Sequence, residues 1–156
     1  MKIISYGAAG QVTGSCHFIE IAGTKFLLDC GLFQGPTKVD LQNLSPLGFD
    51  PKEIDFVLLS HAHLDHCGRL PLLVKGGFMG PIYTTPATRD LAQLILADSA
   101  SLQEKSETPL YTLEDVEKTM TLFSPLPHKE ILRKGKLEIS FHYAGHLRTK
   151  IGYLLL

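Results

Sequence analysis

Short apolar segments alternate with glycine-containing breaks through the first thirty residues of the chain. The segments run from Lys2 to Tyr6, from Cys16 to Ile21 and from Lys25 to Cys30. The breaks between and within them contain Gly7, Gly10, Gly14 and Gly23. Segments of this length between turn-forming residues are typical of strands, so we expect the chain to open with a β-meander.

The next apolar segment, Phe56 to Leu59, contains no polar residue. A strand without polar alternation is usually covered on both faces, so we expect a fully buried strand here. Proline fits only the first turn of a helix, and Pro71 therefore predicts that a helix starts just before it. We place its start near Gly68 or Arg69 and its end before Gly76.

Two more helices are predicted after a short strand from Ile82 to Thr84. Thr85 followed by Pro86 is typical of an N-cap and a first helical residue. Helical spacing then places four apolar residues on one expected core face: Leu91, Leu94, Ile95 and Leu102. The second helix opens at Thr112, with Asp115 in the capping-box position. Its apolar stripe consists of Leu113, Val116 and Met120.

Beyond these helices the apolar period changes from helical to two. One side of the segment carries Leu137, Ile139, Phe141 and Tyr143, and the other carries Lys136, Glu138, Ser140 and His142. This alternation predicts a half-buried strand. A last apolar run, Ile151 to Leu156, resembles a strand that is cut short. The order of strands and helices predicts an α/β layered architecture, in which helices pack against a sheet.

Composition narrows the class of protein. The chain has 156 residues, 44% of them hydrophobic and 20% charged, which is typical of one globular domain. The sequence contains no apolar run long enough to span a membrane and no recognisable signal peptide, so we expect a cytoplasmic protein without membrane attachment. Fifteen Lys and Arg against sixteen Asp and Glu give a net charge of −1, so any specificity for a polyanion must come from a local site.

A dense group of metal-ligating residue types directly follows the predicted buried strand. The segment from Ser60 to His66 has the pattern H-x-H-x-D-H, formed by His61, His63, Asp65 and His66. Imidazoles with one carboxylate suit zinc or a similar divalent metal in a hydrolytic site. The carboxyl end of a buried strand is also where α/β sheets place active sites. The alternative is a polar loop whose histidines are exposed or hydrogen-bonded within the protein.

Four segments together resemble a known family. They are Gly7 to Cys16, Leu27 to Gly35, His61 to Pro71, and Ala144 to His146. The third resembles the signature of the metallo-β-lactamase fold, and all four in this order resemble the β-CASP nucleases, which include the ribonuclease J group and the pre-mRNA cleavage endonuclease. The resemblance implies an αββα sandwich, of which residues 1–156 would form an incomplete part: the first half and the start of the second sheet.

The resemblance also implies roles for individual residues. His61, His63 and His146 would hold a first Zn²⁺, while Asp65 and His66 would hold a second, with Asp65 also serving as a catalytic residue. Asp29 would lie behind the ligands and accept a hydrogen bond from one of them. The alternative for Asp29 is an ordinary turn aspartate.

The activity implied by the resemblance is cleavage of phosphodiesters by a metal-bound hydroxide, with RNA favoured over DNA as the substrate. The family's fourth motif, a metal-bridging aspartate, and its β-CASP insertion do not occur within residues 1–156. The segment Leu147 to Ile151 also replaces the family's small residues, which puts the geometry of His146 in doubt. We therefore expect one metal or an incomplete pair, and weak or no activity from this chain alone.

Two other functions stay open from the sequence. One is a small-molecule hydrolase of the same fold that acts on a thioester, lactam or lactone. The other is a non-catalytic fragment that pairs with another chain; a homo-oligomer is also possible.

Several polar residues outside the motif have simpler expected roles. His17, His128 and His142 are predicted to be ordinary strand or loop residues, and Cys67 a small buried one. Arg69 is a candidate for a phosphate contact, a local ion pair or a solvated side chain.

Overall fold

The structure is a computed structural model that describes residues 1–104 and 106–144, together with the backbone of residues 151–155. Two sheets organise these residues. The strands of the first sheet are β1 (Lys2–Ser5), β2 (His17–Ile21), β3 (Thr24–Leu28), β4 (Phe56–Leu58), β5 (Ile82–Thr84) and β6 (Phe123–Pro125). The strands of the second are β7 (Ile131–Lys134), β8 (Leu137–Tyr143) and β9 (Ile151–Leu155). The helices are α1 (Thr37–Asp40), α2 (Leu64–Cys67), α3 (Leu70–Lys75), α4 (Pro86–Gln103) and α5 (Leu113–Met120).

The first sheet changes from antiparallel to parallel pairing at its third strand. Strands β1, β2 and β3 form the antiparallel meander that the sequence predicts. Strands β3 to β6 then pair in parallel, in chain order. Helices α2 and α3 connect β4 to β5, and α4 and α5 connect β5 to β6. The α/β fold class predicted from the sequence is therefore confirmed.

Both faces of the first sheet are buried, which explains the unbroken apolar segment around β4. Successive side chains of a strand point to opposite faces. Phe56 and Leu58 pack against the second sheet, in a cluster that includes Ile139 and Phe141. Val57 belongs to the larger cluster that the sheet forms with the helices. The sheet is thus the middle layer between the helices and the second sheet.

Helix α4 starts as its sequence predicts but buries a different face. The side chain of Thr85 accepts a hydrogen bond from the backbone N–H of Thr88, and Pro86 is the first helical residue. The predicted core face was wrong for Leu91, Leu94 and Leu102, which are 41%, 68% and 68% exposed, while Ile95 packs partly against the core. The buried face instead consists mainly of small side chains: Thr88, Ala92, Leu96, Ser99 and Ala100. Small residues bring the helix close to the sheet, and hydrophobicity alone does not reveal that face.

Helix α5 begins with the predicted capping box. The side chain of Thr112 accepts from the backbone N–H of Asp115, and the carboxylate of Asp115 accepts from the backbone N–H of Thr112. Of the predicted stripe, Val116 is buried and Met120 packs against the core, whereas Leu113 is exposed. These reciprocal bonds satisfy two of the backbone donors at the start of the helix.

The second sheet contains the predicted alternating strand. In β8, Leu137, Ile139 and Phe141 are buried, but Tyr143 at the end of the same series is 65% exposed. Strand β9 pairs antiparallel with β8, so the strand predicted near the end of the sequence is confirmed. Strands β6 and β7, and helices α1 and α2, were not predicted. Among the described helices, none combines the length and the apolar character needed to cross a membrane.

We expect Phe56→Ala to lower the free energy of unfolding by about 3–5 kcal/mol, because the ring is buried between two layers. Phe56 is 1% exposed and stacks on Phe26 with ring centroids 4.8 Å apart. Urea unfolding followed by circular dichroism measures the change. Met79→Ala is the control, since Met79 is 85% exposed. Equal unfolding midpoints for the two variants would contradict the layered packing.

Candidate metal centre

The cluster of ligand-type side chains lies where β4 leaves the sheet. Strand β4 ends at Leu58, the chain bends at Ala62, and His63 is the N-cap residue of α2 with φ −64° and ψ 145°. Asp65 and His66 lie in that short helix. His61 is 1% exposed and forms the floor of the cluster, whereas His63 is exposed at its mouth. The segment after β4 and the helical turn together bring the four side chains of the motif into one group.

Within this group, the nitrogen and oxygen atoms that could bind a metal form two close pairs. His61 Nε2 lies 3.2 Å from His63 Nδ1. His66 Nε2 lies 3.5 Å from the Oδ2 atom of Asp65. The rings of His61 and His66 are adjacent, with centroids 4.0 Å apart, so the two pairs are neighbours.

These spacings fit ligands of a metal ion. Two donors on a tetrahedral zinc, each bound at about 2.0–2.1 Å, lie roughly 3.3 Å from each other. The chemistry of the set, imidazole nitrogens and a carboxylate oxygen, also fits zinc. Within residues 1–104 and 106–144, no group of three or more His, Cys, Asp or Glu side chains is arranged to hold an ion. His146, the third histidine that the resemblance assigns to the first site, lies outside the described residues.

Asp29 is buried behind the cluster and connects its parts. Its Oδ1 accepts from the backbone N–H of Ser60 at 2.8 Å, and its Oδ2 accepts from the Ser60 hydroxyl at 3.0 Å. The Ser15 hydroxyl donates to the same oxygen at 3.2 Å. His66 Nδ1 lies 2.7 Å from this Oδ2 atom. Asp29 has φ 62°, a left-handed conformation that Asp adopts more readily than most residues.

The hydrogen bonds of Asp29 select the tautomer of two histidine rings, that is, which ring nitrogen carries the hydrogen. A carboxylate only accepts, so His66 Nδ1 carries the hydrogen and its Nε2, on the Asp65 side, is the basic nitrogen. The single hydrogen of Ser60 is donated to Asp29, so the Ser60 oxygen accepts from His61 Nδ1, which lies 2.9 Å away. The basic nitrogen of His61 is then Nε2, on the His63 side. One buried carboxylate thus leaves Nε2 as the basic nitrogen of two rings, one directly and one through Ser60.

Backbone hydrogen bonds connect the loop after β3 to α2, the helix that carries Asp65 and His66. The N–H groups of Cys30 and Leu32 donate to the carbonyls of His66 and Leu64, each at 2.8 Å. This contact requires glycine between them. A Cβ on Gly31 would lie 1.7 Å from the backbone oxygen of Asp65. Gly31 therefore sets how closely α2 approaches this loop.

Ser60 and Ser15 are contacts of the site that the sequence did not single out. Both are buried, and both donate to Asp29. Ser60 could have been found from its position between the buried strand and the first ligand. Ser15 lies in the first of the four family segments, but the resemblance gives it no role, and it reaches Asp29 from the loop before a different strand.

Arg69 takes none of the three roles expected for it. It is 3% exposed, its Nε donates to the carbonyl of Gly31 at 2.6 Å, and its guanidinium lies 4.5 Å from the ring centroid of Phe33. Among the described residues, no acidic side chain forms an ion pair with it, and its Nη2 has no hydrogen-bond partner. Arg69 is the N-cap residue of α3, and its side chain points into the protein, where it contacts the loop after β3.

Cys67 is a buried structural residue, as predicted. Its thiol donates to the carbonyl of Ala62 at 3.2 Å. Burial, helped by the nearby carboxylates of Asp29 and Asp65, raises the pKa of this thiol far above its usual range. A thiol that does not ionise is a poor metal ligand.

Comparison with known proteins was made for the sequence and for the structure. Residues 9–146 match the model of the metallo-beta-lactamase superfamily. A relative named ribonuclease TTHA0252, from Thermus thermophilus, is 48% identical over 147 residues, which are 94% of this chain and 33% of that protein. The transcription termination factor FttA of Methanosarcina mazei and the Integrator complex subunit 11 of Danio rerio are each 33% identical over 94% of this chain, which covers 24% and 26% of them.

Solved structures show the same fold at low sequence identity. A subclass B3 metallo-beta-lactamase from a soil metagenome superposes with a TM-score of 0.57 at 16% identity, over 92% of this chain and 51% of that one. A flavo di-iron protein from Thermotoga maritima gives 0.55 at 16%, over 90% of this chain and 30% of that one. The predicted fold and family resemblance are confirmed. The chain spans about a quarter to a third of the length of the curated relatives it matches.

We expect Gly31→Ala to destabilise the fold around the cluster by more than about 2 kcal/mol, because the new Cβ would overlap the Asp65 carbonyl. Gly35→Ala is the matched control, since a Cβ there would lie 3.4 Å from the nearest atom of Val39. Urea unfolding and amide hydrogen exchange of residues 60–68 measure the two effects. If both variants keep wild-type stability and protection, the close packing of this loop against α2 is contradicted.

Proposed function

This chain belongs to the metallo-beta-lactamase superfamily, and we propose that it is the metal-binding part of a zinc-dependent ribonuclease of the β-CASP kind. The superfamily is metal-dependent, and a relative 48% identical to this chain is named a ribonuclease. The observation that carries the proposal is that possible metal-binding atoms lie close together in two pairs, His61 with His63 and Asp65 with His66. The buried carboxylate of Asp29 orients them.

We assign the ligands as the resemblance implies. His61 and His63, completed by His146, hold one zinc, and Asp65 with His66 contributes to a second. Zinc in such a site lowers the pKa of a bound water and stabilises negative charge that develops on a phosphate. We propose that the second site takes Asp65 and His66 from this chain and its remaining ligands from a longer parent protein, because this chain spans 33% of its ribonuclease relative.

The side chains of the proposed site have separate roles: some bind zinc, and others orient the side chains that bind it. Asp29 fixes the ring of His66 through Nδ1, so the ring needs no reorganisation when a ligand bond forms at Nε2. Asp65 is partly exposed, at 22% of its side chain, so substrate can reach it. We assign Asp65 a second role, in which its Oδ1 accepts a hydrogen bond from the attacking water. His61 is buried and excludes solvent from the inner side of the cluster.

RNA is the substrate that the relatives support. The protein 48% identical to this chain is named a ribonuclease, whereas the solved lactamases are 16% and 20% identical and show the fold alone. A lactam or thioester hydrolase is therefore not favoured. We propose that residues 1–156 lack parts of the catalytic apparatus, because they span 33% of the ribonuclease relative, and that they cleave RNA weakly or not at all on their own.

We expect Asp29→Asn to weaken zinc binding about 10- to 100-fold, because the ring of His66 loses its charged acceptor. Asn keeps the size of the side chain and tolerates the left-handed backbone. Competition with a chromophoric chelator measures the affinity. Asp98→Asn, an exposed aspartate of α4, is the control. Equal affinity for wild type and Asp29→Asn would contradict the assigned role of Asp29.

His63→Ala removes a direct ligand and should weaken zinc binding more than Asp29→Asn does. His17→Ala is the matched control, because that histidine lies in β2 and contacts the Ser5 hydroxyl at 2.9 Å. The same chelator competition applies, with zinc content after gel filtration as a second measurement. A His63→Ala variant that binds zinc as tightly as His17→Ala would rule out this ligand set.

The activity is tested on the parent protein and on this chain with the same labelled single-stranded RNA. We expect zinc-dependent cleavage by the parent, loss of cleavage on chelation, and loss of at least about 100-fold with His63→Ala in the parent. Rapid cleavage by residues 1–156 alone would contradict the incomplete-site proposal. Turnover of a lactam or thioester by the parent, without RNA cleavage, would overturn the ribonuclease assignment.

A further inference from the structure

The end of strand β8 carries a group of ring side chains outside the candidate metal centre. His128 stacks on Tyr143 with ring centroids 4.1 Å apart and an angle of 30° between the planes. His142 lies edge-on to His128 at 5.9 Å. Tyr143 is 65% exposed, and His142 is also exposed. We name His128, His142 and Tyr143 the ring cluster.

The ring cluster has a defined geometry. The turn that carries His128 is closed by a bond from the Glu130 N–H to the Pro127 carbonyl, and the Lys129 N–H donates to the carbonyl of Phe141. His142 Nε2 contacts the hydroxyl of Ser140 at 2.8 Å. These bonds hold the rings against the strand end without burying them. Exposed rings that are held in place lose little entropy when another flat ring packs on them.

Charge is concentrated in the same part of the sequence. The stretch from His128 to Lys150 contains six of the fifteen Lys and Arg residues and two of the sixteen Asp and Glu residues, so its net charge is +4. The remainder of the chain has a net charge of −5. Within the described part of this stretch, Lys129 directly follows His128, whereas Arg133 pairs with Glu138 at 2.8 Å and Lys134 lies over the ring of Tyr83.

We propose that the ring cluster is a stacking site for a base of single-stranded RNA, with the adjacent Lys129 attracting a phosphate. Exposed rings combined with basic residues are the features by which proteins bind single strands without reading sequence. The inference rests on the proposed function, since it takes RNA to be the substrate. It adds a contact to the base, which the metal ligands do not provide.

Binding of a fluorescein-labelled 12-nucleotide oligoadenylate tests the proposal, measured by anisotropy at low salt with EDTA present. We expect Tyr143→Ala to raise the dissociation constant about five-fold or more, and Tyr143→Phe to keep it within about two-fold of wild type. His128→Ala should weaken binding in the same direction. Met79→Ala, an exposed side chain elsewhere, should have no effect. Urea midpoints equal to wild type verify that the variants are folded.

A second probe separates stacking from simple attraction of phosphate. An abasic oligonucleotide of the same length should bind at least about five-fold more weakly than oligoadenylate, and Tyr143→Ala should not weaken it further. The proposal is overturned if oligoadenylate fails to bind the wild type, if Tyr143→Ala binds like wild type, or if the abasic probe binds equally well. Because EDTA is present, these results do not depend on whether zinc binding or cleavage is found.

Discussion

The buried carboxylate of Asp29 is the interaction on which the rest of the candidate centre depends. Removing a charge from water is costly unless hydrogen bonds replace the lost hydration, and here donors from three separate parts of the chain do so. They are Ser15 before β2, Ser60 after β4, and His66 in α2. Because each donor belongs to a different element, satisfying one carboxylate fixes the relative positions of all of them.

The fold places that carboxylate correctly through strand pairing. Strands β3 and β4 are parallel and in register, with Leu28 opposite Leu58, so their carboxyl ends meet at one edge of the sheet. Asp29 and Ser60 follow those ends, and the N–H of Asp29 donates to the carbonyl of Leu58 at 3.0 Å. Gly31 then allows the loop to contact the helix that carries Asp65 and His66. Packing on both faces of the sheet keeps this edge rigid enough to hold the ligand segment.

Sequence patterns predicted the parts of this arrangement that depend on local chemistry. The apolar run around β4, the capping box at Thr112 and the Pro86 helix start follow from rules that act over a few residues, and the structure has them all. The grouping of His61, His63, Asp65 and His66 also follows from their short spacing. Hydrophobic spacing does not predict the buried face of α4, because that face consists mainly of small residues rather than large apolar ones.

Other features depend on contacts between distant residues. Ser15 reaches Asp29 only because β2 and β3 are paired, and Arg69 is buried because the loop after β3 and the ring of Phe33 cover it. Strand β6 has three residues and ends in a proline, so its sequence carries little strand signal. Family resemblance supplied what local rules could not, namely the expectation that Asp29 supports the ligands.

The central claim is that Asp29 presents the Nε2 atoms of His61 and His66 to the metal. Nitrogen NMR of the histidine side chains, recorded before and after zinc addition, tests this claim most directly. The account predicts that both rings carry hydrogen on Nδ1 and that zinc shifts their Nε2 resonances, while His63 responds at Nδ1. Zinc-induced shifts at Nδ1 of His66, or unchanged spectra for His61 and His66, would contradict it.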